Sequence, residues 1–522
     1  MKTGRSISPL GLLFISVSSI MGSGWLFSSF YTTENAGPAA LLSWIIGGFL
    51  VLIVAFTFAE VFSFLPVSGG SVRIPQISHG NVIGIFCSLA FWFLYIVLVV
   101  IEVQAVVQYL CFYFPSFMTQ KESLSFSGYI TATVLLFVVS IVNTISMKWV
   151  ARCNLIMTFV KILIPLFIGI FLLILYFSWE NLFHPFGSQF SPFGAHGIFA
   201  AISTGGIIFS YIGFKSACEV GGEAQKPSFS IPFAVIGSIL VCMGIFLVLQ
   251  SSFIVSLQKG DIKEGWAALT LLNNNSPFAS LMAEHSIKWM IPILYIGAIV
   301  SPLASGLIYC TCASRSLLSI AVNGYAPKIL VRTNKNQIPF FTIWINFLIS
   351  LVIFSFSRGW HQIADLLTYL FALTFVFGPI CLIALRLQIP ERKRYVKLPF
   401  VWVWTYVSLF LCTLFIYWVG WSVNSITIYF LIFCMIVALI VQIITNTTKA
   451  EMAEQWKSSL WLWIFSFVIY LCSYMGSYGG GHKILSEGTI MLIFAIMNAL
   501  TIYLAVKFKK KPEEVKAETD YI

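Results

Sequence analysis

The chain has 522 residues, of which 59% are hydrophobic and only 9% charged, against roughly 25% charged in an ordinary soluble domain. The formal net charge of +11 is no nucleic-acid footprint, because the basic residues are dispersed among the polar links between apolar runs. Composition therefore excludes a soluble globular domain, and charge placement excludes a nucleic-acid partner.

Apolar runs of about twenty residues, each enough to cross a hydrocarbon core of roughly 30 Å, recur along nearly the whole length. About fourteen transmembrane helices are predicted, centred near residues 20, 52, 97, 137, 164, 209, 241, 306, 347, 372, 410, 434, 468 and 496. The fold class is an all-α multi-pass membrane protein. The Met1–Ser8 head is polar, the first run is too long for a signal-peptide core, and no small-residue cleavage site follows. A retained first span is expected.

Two runs are interrupted. The first, Pro9–Tyr31, contains Gly22-Ser23-Gly24; the sixth, His196–Gly222, carries Ser210-Tyr211-Ile212-Gly213-Phe214-Lys215 in its middle. Backbone released from a helix at bilayer depth finds no water, so such a break survives only where it lines a cavity or a site. Paired broken helices are how transporters present free N–H and C=O groups to a substrate near the midplane. If each broken run opens five spans, 9–177 and 196–386 are halves of opposite topology, an inverted five-plus-five helix repeat. Helices 11 and 12 follow at 400–445, an extra C-terminal helix pair at 458–507, and a tail at 508–522. The links 178–195 and 258–288 either cover an entrance or simply connect.

With an even number of spans, one side collects Lys2, Arg5, Arg73, Lys148, Arg152, Lys226, Arg332, Lys335, Arg386, Arg392, Lys393, Arg394, Lys397 and the Lys507–Lys511 cluster. The other holds Lys121, Lys259, Lys263, Lys288, Arg358 and Lys483. The positive-inside rule then places both termini in the cytoplasm of a cell membrane. The 11 cysteines are scattered and mostly inside spans, with no metal-ligand or disulfide spacing. Phosphate-binding loops, His-Glu-x-x-His and the nucleophile elbow are absent, so no enzyme, cofactor or metal is expected. Transport would draw on an ion or solute gradient.

Several stretches carry a resemblance. Ile20-Met21-Gly22-Ser23-Gly24 resembles the first-helix motif of the amino acid–polyamine–organocation superfamily, whose fold is the LeuT-like inverted repeat. Ala59-Glu60 with Pro66-x-Ser68-Gly69-Gly70, Gly222-Glu223-Ala224-Gln225-Lys226-Pro227, and Arg315-Ser316-Leu317-Leu318 through Asn323-Gly324-Tyr325-Ala326-Pro327 fall in the expected order. Ala201-Ile202-Ser203-Thr204-Gly205-Gly206, Ser78-His79-Gly80, Tyr417-Trp418-x-Gly420-Trp421 and Ser473-Tyr474-Met475-Gly476-Ser477 look like bacterial aspartate–proton symporters of that superfamily, which also have the extra pair.

Glycine lets the chain leave helical geometry and approach a ligand closely. The half-helix beginning at Gly22-Ser23-Gly24 points its free N–H groups and positive dipole end into the gap, which suits a substrate α-carboxylate. Opposite it, carbonyls around Phe209, Ser210, Ile212 and Gly213 suit an α-ammonium, with Ile20 at the end of the first half-helix. The alternative is a small-residue packing face. In the family a bulky aromatic at the place of Phe209 closes over substrate; here it is Phe where several relatives have Trp, and plain core packing remains the other reading.

Charges inside spans are costly and mark function. Lys161, in the fifth span, either snorkels to the interface or, as the resemblance implies, occupies the place where sodium-coupled cousins bind their ion and carries the coupled proton. Lys215 stands where several members of the superfamily have glutamate. A cation there attracts a side-chain carboxylate and repels cationic cargo; alternatively it pairs with Glu219 or Glu102. Glu102, with Gln104 and Gln108 in the third span, is a secondary candidate, whereas Glu60 and Glu223 read as anchors near span ends. The expectation is a secondary transporter importing aspartate or glutamate with a proton, its partners the small-molecule amino acid, the proton and the lipid bilayer. A neutral amino-acid symporter or an exchanger is the alternative, and a channel or receptor a different class.

Overall fold

The computed structural model describes residues 7–67, 69–119, 123–145, 147–334, 338–356 and 359–519, with the backbone alone for 147–155. Lys2, Arg5, Ser68, Lys121, Lys335 and Arg358, and the side chains of Lys148 and Arg152, lie outside the described residues. Helices account for nearly all of the ordered elements. The first run is two helices, α1 (Pro9–Ile20) and α2 (Gly24–Ala36), followed by α3 (Ala40–Phe64), α4 (Gly70–His79), α5 (Asn81–Leu110), α6 (Phe126–Ile145) and α7 (Met147–Tyr176). After the short α8 (Trp179–Phe183), the sixth run forms α9 (Gly194–Thr204), α10 (Ile207–Tyr211), a 3-10 turn at Ile212–Lys215 and α11 (Ser216–Glu219). Next come α12 (Pro227–Val255), α13 (Pro277–Glu284), α14 (Ile291–Val322), α15 (Phe340–Phe356), α16 (Gly359–Phe375) and α17 (Phe377–Gln388). The chain closes with α18 (Val401–Val419), α19 (Trp421–Ile444), α20 (Lys449–Met475), α21 (Glu487–Lys507) and α22 (Pro512–Thr519).

Helix starts follow local chemistry. Ser8 caps α1 by accepting from the Gly11 amide at 3.1 Å, with Pro9 in the first turn, where its missing N–H costs nothing. Thr448 and Glu451 form a reciprocal capping box that starts α20. Among the described residues, eleven helices are long and apolar enough to cross a membrane, or twelve when the bent pair Gly194–Thr204 and Ile207–Glu219 counts as one broken span. Helices α1 and α15 are apolar but shorter.

Both predicted interruptions exist, but the second is displaced. The sixth run bends by 45° between Thr204 and Ile207, ahead of the predicted Ser210–Lys215 segment. Gly206 takes φ 86°, and a side chain there would also run into Ser28 and Trp360. The left-handed conformation is open to glycine without a Cβ penalty, so the Gly205-Gly206 pair absorbs the turn. The Ser210–Lys215 stretch stays helical, tightening only to a 3-10 turn over Ile212–Lys215.

Helix α12 packs along α1 and α3, and α5 along α14 with α6 and α15 behind them. Gln250 of α12 ties the first group together. Its Oε1 accepts from Thr32 at 2.6 Å and Trp44 at 2.9 Å, and its Nε2 donates to Thr33 at 2.8 Å. This fully buried network joins α2, α3 and α12 with each end of the amide satisfied. The link 258–288 folds along α2: Trp266 lies by Gly37 at its far end, Phe278 packs on Trp25 near its start and on Phe253, and Ser276 and Tyr295 both donate to the Tyr109 carbonyl.

The extra pair, α20 and α21, is bound at both ends. At one, Gly420 (φ 93°) sits directly against the backbone of Gly479. At the other, Ser458 donates to His79 O at 2.7 Å, and Gln388 Nε2 bridges Ser78 O and Lys510 O at 2.9 and 2.8 Å. Nearby, Glu60 receives Arg386 in a two-pronged contact at 2.8 and 2.7 Å and the Leu398 amide at 2.7 Å. Glu60 is an anchor between α3 and α17, in keeping with its place near a span end. Removing one partner of such a buried pair strands the other charge, so Glu60→Ala should destabilise the protein by about 3 kcal/mol. Thermal melting of detergent-purified variants checks this, and the double change Glu60→Leu with Arg386→Met should recover only part of the loss, because Arg394 also lies 3.8 Å from Glu60.

Candidate functional site

The break in the first run is built from Met21, Gly22 and Ser23, between α1 and α2. Breaking a helix strips its last carbonyls of their intrahelical donors. Here side chains from other helices replace those donors. Ser301 donates to Met21 O at 2.7 Å and to Gly22 O at 3.1 Å, and Tyr309 donates to Ser19 O at 2.8 Å. The Lys161 ammonium, fully buried, donates to Ser18 O at 2.8 Å and to Ser305 Oγ at 2.7 Å. Trp360 Nε1 closes the set by donating to Ser23 Oγ at 2.9 Å.

Glu102 reaches the same place from α5. Its carboxyl lies against the Ser23 amide and hydroxyl, and a side chain on Gly22 would collide with Oε1. The carboxyl thus occupies the start of α2, where backbone N–H groups and the helix dipole favour negative charge. Its second oxygen, Oε2, is buried with no hydrogen-bond partner among the described residues. Lys161 lies near enough to Glu102 for the two to interact electrostatically across the break. A buried acid and a buried base therefore flank one unwound backbone segment.

The sixth run closes the other side. A Cβ on Gly24 would meet Ser210 Oγ, and one on Gly213 would meet the backbone of Ser19 and Ile20. Ser28 and Ser210 join by their hydroxyls at 3.1 Å, and Ser210 returns a bond to Gly206 O at 2.8 Å. Phe209 stands edge-on to Trp360, with ring centres 5.4 Å apart, and Trp360 stacks on Phe27 at 5.0 Å. The Trp360 amide is fixed by Gln108 Oε1 at 2.9 Å. Phe209 and Trp360 together form the wall over the break.

Of the sequence candidates, Ile20, Gly22, Ser23, Gly24, Phe209, Ser210, Gly213, Glu102 and Lys161 converge here, and Ile212 is buried beside Gly213. Lys215 does not. It lies in a separate cage, donating to Thr374 Oγ1 at 2.7 Å, with the rings of Phe375, Phe91, Phe58 and Phe371 at 4.5 to 5.8 Å. Among the described residues it makes no ion pair within 4 Å; a hydroxyl and ring faces surround the cation, and Glu219 lies near enough to interact with it electrostatically. Phe91 also lines a cavity of about 620 Å³ bounded by α4, α5, α11 and α14, into which Arg73, Arg315, Glu219 and Glu223 project. Sequence reasoning missed Ser301, Ser305 and Tyr309. Their spacing of four along α14 puts three polar groups on one helix face, a legible signal in an apolar span.

The family model described as Amino acid permease matches residues 7–437. An aspartate-proton symporter of Bacillus subtilis (strain 168) is 32% identical over 519 residues, covering 99% of this chain and 98% of the relative. The glutamate/serine transporter AimA of the same organism is 29% identical over 521 residues, covering 98% of this chain and 95% of the relative. A methylthioribose transporter from that organism is 24% identical, over 79% of this chain and 88% of its own length.

The two breaks touch through glycine, which gives an asymmetric expectation. Gly24→Ala should be rescued by Ser210→Gly, because its obstacle is a side chain. Gly213→Ala meets backbone and should have no such rescue. Melting temperature and monodispersity of the purified single and double variants check the pair.

Proposed function

The chain belongs to the amino acid permease family, and on that premise we propose that it imports an acidic amino acid, aspartate or glutamate, together with a proton, by alternating access. The observation that carries this reading is the buried pair of Lys161 and Glu102 on either side of the first break. The aspartate-proton symporter that it matches over nearly its full length supports the substrate class and the coupling ion. The two broken runs support an inverted five-plus-five repeat over 9–177 and 196–386, and the helices at all fourteen apolar runs support a fourteen-span arrangement. The loop charges support cytoplasmic termini, which makes the 258–288 side external and the cavity of about 620 Å³ cytoplasmic.

In this reading Glu102 is a stand-in for the substrate carboxylate. Its carboxyl sits where the α2 amides would receive the α-carboxylate of an amino acid. Two carboxylates cannot share that place, since like charges this close oppose each other's ionisation. Substrate entry therefore requires Glu102 to take a proton and withdraw, and substrate loss lets it return. Lys161 completes the exchange. Its grip on Ser18 O and Ser305 ties α1 to α14, so gain or loss of its proton alters how tightly the first half-helix is held. Lys215, a buried cation between the breaks and the cavity, sets a potential that favours an acidic side chain and disfavours a basic one.

Uptake of labelled amino acids into proteoliposomes, with and without an imposed pH gradient, tests the reading. Acid outside should drive accumulation of aspartate or glutamate. Lys161→Ala should abolish accumulation against the gradient while retaining counterflow at equal pH. If that variant still concentrates substrate, Lys161 is not the coupling residue.

Competition by aspartate, glutamate, asparagine, serine and leucine tests Lys215. Losing a charge-assisted interaction of about 1.5 kcal/mol corresponds to roughly tenfold weaker binding, so Lys215→Met should weaken the two acids by that much and spare the neutral three. Equal weakening of all five would make Lys215 a packing residue.

A further inference from the structure

His361 and Asp365 lie one turn apart at the start of α16, with Nε2 and Oδ2 3.8 Å apart. The imidazole stacks on Tyr31 of α2, ring centres 4.2 Å apart and planes within 16°. Tyr31 in turn lies parallel to Trp360 at 5.8 Å, and Trp360 holds Ser23 at the break. One continuous ring column thus runs from the pair to the substrate site. His361 Nδ1 and Asp365 Oδ1 are buried with no hydrogen-bond partner among the described residues, while the rest of the two side chains keeps 29% and 14% of its surface exposed.

Glu34 stands one turn beyond Tyr31 on α2, the titratable group nearest in sequence to the column. Other titratable groups on the packed elements, among the described residues, have partners of their own or face away. On α5, Tyr109 faces Phe27 and Tyr295, and Glu102 lies at the break. His196 of α9 faces Tyr478, Tyr211 of α10 faces Trp44, and Tyr417 of α18 bonds Glu487. On α17, Arg386 is held by Glu60; on α19, Tyr429 is exposed.

We propose that closing the outer wall over the site takes up one proton from the external solution at the His361–Asp365 pair, making α16 an acid-favoured latch distinct from Lys161. The outward direction rests on the import reading above. Burying a bare carboxylate with one unsatisfied oxygen is strongly disfavoured, so the closed pair is most stable with one shared proton and no net charge. The proton sits on the carboxyl or on the imidazole, where the Tyr31 face also favours a cation. When α16 leaves α2 and water reaches the pair, the carboxyl ionises at neutral pH while the imidazole stays largely neutral. Opening therefore releases the proton to the outside, and closing binds it again. External acid shifts the equilibrium toward closure, by up to about tenfold per pH unit for one linked proton.

Ser28 is buried behind Trp360, so a cysteine there reports opening without any substrate. Ser28→Cys is labelled with a membrane-impermeant maleimide in right-side-out vesicles across a range of external pH. The rate is normalised to Lys288→Cys on the external link, which removes the thiol's own ionisation, and the parent protein corrects for native cysteines. Normalised labelling should fall as the outside is acidified, and Asp365→Asn, a neutral mimic of the closed form, should label slowly at every pH. His361→Gln should displace the dependence along the pH axis, which decides the matter alone should Asp365→Asn fail to fold. An unchanged pH dependence in the variants overturns the proposal. Gradient-driven accumulation in Lys161→Ala bears on the import reading and leaves this labelling unaffected, so the two failures are distinguishable.

Discussion

A backbone that leaves the helix inside a bilayer must have its polar groups satisfied by the protein, and the rest of this structure follows from that requirement at Met21–Ser23. The carbonyls at the end of α1 are received by Ser301, Tyr309 and Lys161, and Glu102 lies at the start of α2. Two of these four groups, the Lys161 amine and the Glu102 carboxyl, are groups that ordinarily carry charge, and at bilayer depth a charge is expensive unless it is paired or works. The break is therefore held closed by groups whose grip depends on protonation. A purely structural break could be satisfied by serines and a tyrosine alone.

Both halves of the broken run pack on α12, but their polar ties differ. Helix α2 is bound to α3 and α12 through Gln250, a neutral and fully satisfied amide. The end of α1 is bound to α7 and α14 through Lys161, Ser305 and Tyr309. A change of charge at Lys161 loosens one attachment and leaves the other intact. In the proposed reading, that difference is what would turn a binding event into a relative movement. The Gly24–Ser210 and Gly213–Ile20 approaches make the two broken runs move together, since neither can shift without displacing the other's backbone.

Much of this was legible in the sequence. Small residues in apolar runs located the first break to the residue, the other reading of glycine and serine there being a helix-packing face. The second was located to the right run but placed too late. The stretch Ser210–Lys215 looks polar and irregular, yet it continues as α-helix and 3-10 turn, while Gly205-Gly206 bends the chain. Lys161 and Glu102 were found as charges in spans, but their meeting at one break depends on the register of α5 against α7, which no single run encodes. Lys215 was expected beside the substrate or in an ion pair. Four phenylalanines from three helices and the Thr374 hydroxyl surround it, with Glu219 within electrostatic reach, a setting that only the packed fold creates. The 258–288 link could only be left open as cover or connector, and that its Phe278 packs on Trp25 is a contact no single run encodes.

The central claim is that substrate and the Glu102 carboxylate exclude each other at the start of α2, so that binding one protonates the other. Proton exchange on binding measures this directly: purified protein in weak buffer with a pH indicator, or calorimetry in buffers of different ionisation enthalpy, on adding aspartate. The account predicts proton uptake on binding, lowered by one proton in Glu102→Gln although that variant still binds aspartate. Binding without proton uptake in the unaltered protein would contradict it.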